Sequence, residues 1–164
     1  MRKRIMKKMF YLASLLIGGA AFAQITTNEI NGIKVNMPLT ELNAKFKQNI
    51  KPKVVENFTD EPENFTPVTI NGTKYSIIFV KDFYSPEKTL VYSVATTDPK
   101  SKGKNPVGIG STLAELKKVY AKESTDTTGD TFTVYQKDKG ERILIFKLKN
   151  NKVTRIFASV FAAG

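Results

Sequence analysis

Two stretches of this chain share one pattern at an offset of 74 residues, and that echo restricts the fold more than any other feature. Val107–Tyr120 reads VGIGSTLAELKKVY, and Ile33–Phe46 reads IKVNMPLTELNAKF. Placing Glu41-Leu42 over Glu115-Leu116 brings Val35 onto Ile109, Leu39 onto Leu113 and Phe46 onto Tyr120. In each copy the apolar residues fall at i, i+3 and i+7, the spacing of one helix face. The second copy carries a full start signal. Thr112 and Glu115 form T-x-x-E, a capping box in which each side chain satisfies the other residue's backbone N–H. Gly108 and Gly110 permit a tight entry, and Lys117, Lys118 and Lys122 favour the negative end of the helix. The first copy predicts a helix over about Pro38–Gln48. Pro38 suits the first turn, where its missing N–H is no loss, and Pro52 bars continuation.

Each helix precedes β-rich segments. Thr66–Ile70 and Thr73–Val80 flank Asn71-Gly72, the strongest short-range hairpin cue, since both turn residues tolerate positive φ. Thr89–Ala95 alternates as a third strand. After the second helix, Ser124–Gly129 reads as a break. Asp130–Gln136, Arg142–Leu148 and Lys152–Phe161 then read as strands joined by turns at Asp138-Lys139-Gly140 and Asn150-Asn151. Ile25–Val35 reads as a short strand or arm around Asn31-Gly32. The expectation is an α+β protein of two related units, each a helix followed by an antiparallel three-stranded meander. The first unit covers 24–96 and the second 106–164, with the polar stretch 97–105 as linker.

Residues 1–23 read as a secretory signal peptide. Arg2, Lys3, Arg4, Lys7 and Lys8 precede the apolar run Met9–Ala20, and Ala21-Phe22-Ala23 is an A-x-A cleavage site. Export to a bacterial periplasm or medium is expected, with no membrane anchor after cleavage. The run is shorter than the roughly 20 residues of a span. The formal charge of +11 shrinks accordingly: five of the 26 basic residues lie in this segment, leaving 21 against 15 acidic residues, or +6. That balance is too modest and too dispersed to point to nucleic acid.

The chain has no Cys and no His. Disulfides, cysteine zinc sites, thiol nucleophiles and Ser-His-Asp triads are therefore excluded. Gly108-x-Gly110 lacks the third glycine of a dinucleotide loop and the Gly-Lys-Ser/Thr of a P-loop. Glu115 is accounted for by the cap. Asp60, Glu61 and Glu63 lack the alternation of oxygen ligands in a calcium loop. No catalytic residue, metal site or cofactor is expected.

The second copy, G-x-G-S-T-x-x-E-L-x-x-x-Y ahead of a meander, resembles the helix-plus-sheet module of β-lactamase-inhibitor-like proteins. It is also similar to the small envelope lipoproteins of outer-membrane assembly, the BamE (SmpA) type. Gly110, Ser111, Thr112, Glu115, Leu116 and Tyr120 carry the likeness. The tandem arrangement favours the inhibitor-like architecture, and the lipoprotein type would need an anchoring Cys that this chain lacks. The resemblance implies a fold and transfers no contact residue.

One surface is singled out by alternation. If Phe132, Val134, Leu144, Phe146 and Leu148 face the helices, then Tyr135, Ile143, Ile145 and Lys147 share the opposite face. An apolar-aromatic face with basic edges fits a partner protein or a second copy of this chain, and equally a face covered by a neighbouring segment of the chain itself. The leading expectation is an exported non-enzymatic protein-binding module, inhibitor-like in architecture. The alternatives are an envelope structural or assembly factor, and a small-ligand carrier or hydrolase. An anionic envelope surface is a further partner class for the basic chain.

Overall fold

The computed structural model describes residues 25–56, 59, 61–136 and 142–160. The expected signal peptide, the turn at 138–140, Asn57, Phe58, Asp60 and Phe161 lie outside these residues. The chain opens with β1 (Glu29–Ile30) and β2 (Ile33–Lys34), an antiparallel pair closed by Asn31 at φ 52° and Gly32 at φ 81°. Helix α1 (Leu39–Phe46) follows, then a 3-10 turn over Pro62–Asn64. Strands β3 (Thr66–Ile70), β4 (Thr73–Lys81) and β5 (Thr89–Thr96) precede α2 (Leu113–Val119). Strands β6 (Ser124–Thr128), β7 (Thr131–Tyr135), β8 (Arg142–Lys149) and β9 (Lys152–Val160) complete the order.

The expectation of two helix-plus-three-strand units is overturned. The fold is mostly β, and β3 to β9 form one seven-stranded antiparallel sheet in the order β3-β4-β5-β9-β8-β7-β6. Strand β5 pairs directly with β9, from Ser93↔Ser159 to Thr96↔Ile156, so the ladder runs unbroken from one half of the sequence to the other. The second half contributes four strands, not three. Ser124–Thr128, read above as a break, is β6, paired with β7 from Ser124↔Tyr135 to Thr128↔Thr131. Its sequence STDTT is exposed at every position, so no apolar alternation marked it. Gly129 at φ 57° closes its hairpin, and threonine's branched side chain suits an extended edge. Strands β1 and β2 form a separate sheet.

The two helix entries are built alike, down to the backbone bonds. The Asn36 N–H donates to the Val91 carbonyl at 2.7 Å, and the Val91 N–H returns to Met37 at 2.9 Å. The Gly110 N–H donates to Val153, and the Val153 N–H returns to Ser111, both at 2.8 Å. Asn36 and Gly110 are equivalent at the offset seen in the sequence, and both have positive φ, 65° and 88°. Asn is the residue after Gly that tolerates this conformation, which explains why the first copy departs from Gly there. Pro38 is the residue before α1 rather than part of its first turn, with an extended ψ of 141°. At α2 both capping-box bonds are made: Thr112 N–H to Glu115 Oε2 at 2.7 Å, and Glu115 N–H to Thr112 Oγ1 at 3.3 Å.

Leu42 and Leu116, one from each helix, are fully buried. They join one apolar cluster with Ile77, Phe79, Val91, Phe132, Phe146 and Ile156, which line one face of the sheet from both halves. At about 25 cal/mol per Å2 of apolar surface, this shared core is the main source of stability in a chain with no disulfide. Stretch 97–105 folds against it. Ser101 is 1% exposed, and its hydroxyl accepts from Asn31 Nδ2, which also donates to the Tyr75 hydroxyl, each at 2.8 Å. Among the described residues no helix is long and apolar enough to cross a membrane.

Candidate functional site

The opposite face of the sheet is assembled by register. Tyr135 pairs with Ile143 across β7 and β8, and Thr133 with Ile145. Ile145 pairs with Phe157 and Lys147 with Arg155 across β8 and β9. Tyr135, Ile143, Ile145 and Lys147 therefore share one face, and Phe132, Val134, Leu144, Phe146 and Leu148 lie in the core cluster behind it. Tyr135, Ile145 and Lys147 are half-buried, while Ile143 is buried at 8% exposure. Lys147 Nζ donates to Thr131 Oγ1 at 2.9 Å, which holds its ammonium over the β7 side of the face.

The first half of this face is covered by the connection between α1 and β3. Val55 packs with Ile78 and Val80 in a second apolar cluster, flanked by Phe65, Leu90 and Tyr92. Phe65 then meets Phe157 at 6.2 Å between ring centroids. The Arg155 guanidinium lies 4.7 Å from the Phe65 ring centre and 4.6 Å from that of Phe157. A planar cation on two rings is fixed in direction as well as attracted. Beside it a cleft of about 420 Å3 is lined by Pro67, Thr69, Lys74, Ser76, Thr97 and Arg155, with Val68, Tyr75 and Thr96 behind them. Sequence reasoning missed this cleft, because its walls come from strands far apart in the chain.

The remaining described candidates have local contacts of their own. Backbone and hydroxyl donors of Thr112 hold the Glu115 carboxyl below its usual range, as a capping carboxylate requires. The Lys100 N–H holds Asp98 low in the turn after β5. At the surface a hydrogen bond shared with Glu63 raises Glu61, while Glu63 is lowered first by its own backbone N–H and then by that shared bond. Gly108 lies where a Cβ would meet the Ser101 carbonyl oxygen at 2.7 Å, so close backbone approach accounts for it rather than phosphate binding. Among the described residues, no three His, Cys, Asp or Glu side chains cluster to hold a metal. Of two further clefts, one of about 420 Å3 beside α2 holds Ser111, whose hydroxyl accepts from the Gly108 N–H, and the capping Glu115; the other, of about 220 Å3 beside Tyr120, holds the Lys104–Glu123 pair at 3.2 Å. Comparisons of the chain with protein-family models, with curated proteins and with solved structures return no match.

Proposed function

We propose that the protein is exported and acts as a non-enzymatic binding module, docking another protein on the sheet face that bears Tyr135, Ile143, Ile145 and Lys147. The observation that supports this most is the register of β7, β8 and β9. It sets the half-buried Tyr135 and Ile145 beside the buried Ile143 in one patch and places Lys147 and Arg155 side by side at its margin. An apolar centre with a polar, charged rim is the anatomy of a recognition surface. The face lies opposite the cluster that contains Leu42 and Leu116, so occupying it leaves the core undisturbed. Among the described residues, each carboxylate with a shifted pKa serves a cap, a turn or an exposed pair, which favours binding over acid–base catalysis. Export rests on the pattern of residues 1–23.

The test is a photo-crosslinking amino acid placed at Ile145 in the producing cell, with Lys117 on α2 as the control position. The expected result is a discrete protein adduct from Ile145 that disappears with Tyr135→Asp, and none from Lys117. Equal adducts from both positions, or none from Ile145, would contradict the reading.

A further inference from the structure

One end of the proposed docking face carries a transverse row of side chains. Thr69 pairs with Lys74. Thr96 pairs with both Tyr75 and Ile156, so Thr97 falls between Lys74 and Arg155. Arg155 pairs with Lys147, Lys147 with Thr131, and Thr131 with Thr128. The row crosses the sheet from edge to edge with three cations and four threonines; from Thr69 to Lys147 it holds no acidic residue, and at its far end Thr128 and Thr131 donate to Asp126 and Asp130. A second observation supports it: Thr69, Lys74, Thr97 and Arg155 line one cleft, and no described carboxylate does so. Lys74 is exposed, and Lys147 and Arg155 are half-buried.

We propose that this row receives an extended acidic segment of the partner protein, lying across the strands. The inference rests on the docking reading and gives its occupant a chemistry. Lys74 and Lys147 are three strand spacings apart in the order β4-β5-β9-β8, about 14 Å at 4.7–4.9 Å per strand. An extended chain covers that distance in about four residues. Side chains at i and i+4 of such a chain point the same way, so two carboxylates reach the two lysines at once. Arg155, fixed by Phe65 and Phe157, adds a cation between them, and the Thr69 and Thr97 hydroxyls can donate to the segment's carbonyls, whereas those of Thr128 and Thr131 already donate to Asp126 and Asp130. Flat cation placement and hydroxyls suit an extended peptide better than a stack of bases, because the row presents no exposed ring.

The test is fluorescence anisotropy of the exported protein with a labelled peptide carrying Glu at i and i+4. Controls are the same peptide with Lys in place of Glu, and an acidic oligosaccharide of equal charge. Saturable binding of the Glu peptide alone is expected. Lys74→Gln and Lys147→Gln should each weaken it about two- to fivefold, and Lys117→Gln should leave it unchanged. Absence of binding, equal loss with Lys117→Gln, or equal binding of the oligosaccharide overturns the inference. The Ile145 adduct is measured separately, so an adduct without peptide binding removes the acidic segment and keeps the docking face.

Discussion

Replacing Tyr120 by Phe should stabilise the protein, and the gain should grow with pH. Tyr120 is 6% exposed, with its ring 5.7 Å from that of Phe146 and 6.2 Å from that of Phe132. Its hydroxyl is buried without a hydrogen-bond partner among the described residues. An unpaired buried polar group costs about 1–3 kcal/mol, so Tyr120→Phe, which keeps the ring, should gain about 1 kcal/mol at neutral pH. Burial, with the negative Glu123 adding to it, also pushes the phenol from 10.0 up to about 12. The folded chain holds this proton to about pH 12, whereas the unfolded chain releases it near pH 10. Stability that is intact below pH 10 is therefore lost as pH rises through that window. One pKa unit is worth about 1.4 kcal/mol. At about pH 11 the wild type has lost about that much, and the Phe variant has no such proton to lose. The advantage should widen from about 1 to about 2.4 kcal/mol. Denaturant unfolding of both proteins at pH 7, 9 and 11 measures it, and the difference cancels the lysines and Tyr75, whose phenol burial also raises. An advantage that stays constant with pH, or a Phe variant less stable than wild type by more than about 0.5 kcal/mol, refutes the reasoning.

Three further substitutions probe the scaffold. Leu116→Ala opens a cavity at a fully buried position of the shared core and should cost about 2–5 kcal/mol by equilibrium unfolding; a cost under about 1 kcal/mol would remove α2 from that core. Thr112→Ala deletes one side of the capping box and should cost about 1 kcal/mol at neutral pH. Because the Glu115 pKa is lowered in the fold, its share is present above the ordinary carboxylate range and is lost as pH falls through the lowered value. The difference between variant and wild type should therefore narrow in acid, and a difference that widens would contradict the box. Gly110→Asn should be tolerated, since Asn36 already occupies the equivalent left-handed position, whereas Gly110→Val should cost at least about 1–2 kcal/mol. Equal stability of the two variants would sink the equivalence.

What the sequence discloses here is set by how local each interaction is. The capping box at Thr112 and Glu115 and the Asn71-Gly72 turn are contained within a few residues, and both are formed as read. The face shared by Tyr135, Ile143, Ile145 and Lys147 follows from period-two alternation within two neighbouring strands. Strand β6 escaped because an edge strand exposed on both faces buries nothing, and burial is what writes alternation into a sequence. The pairing of β5 with β9 escaped for a different reason. It joins Ser93 to Ser159, and no local pattern specifies which distant strand a half-buried strand will choose. That one pairing turns two expected sheets into a single seven-stranded sheet. It also creates the basic row, since Lys74 and Arg155 meet the same cleft only once β5 and β9 are side by side.

The proposed docking face at β7 to β9 is to take an acidic segment of a partner. Competition tests it most directly: the Ile145 crosslink is formed in the producing cell's extract with and without excess Glu-bearing peptide. The account predicts that the adduct fades as peptide is added, and that Lys74→Gln with Lys147→Gln blunts this competition. An adduct that persists undiminished at saturating peptide would contradict it.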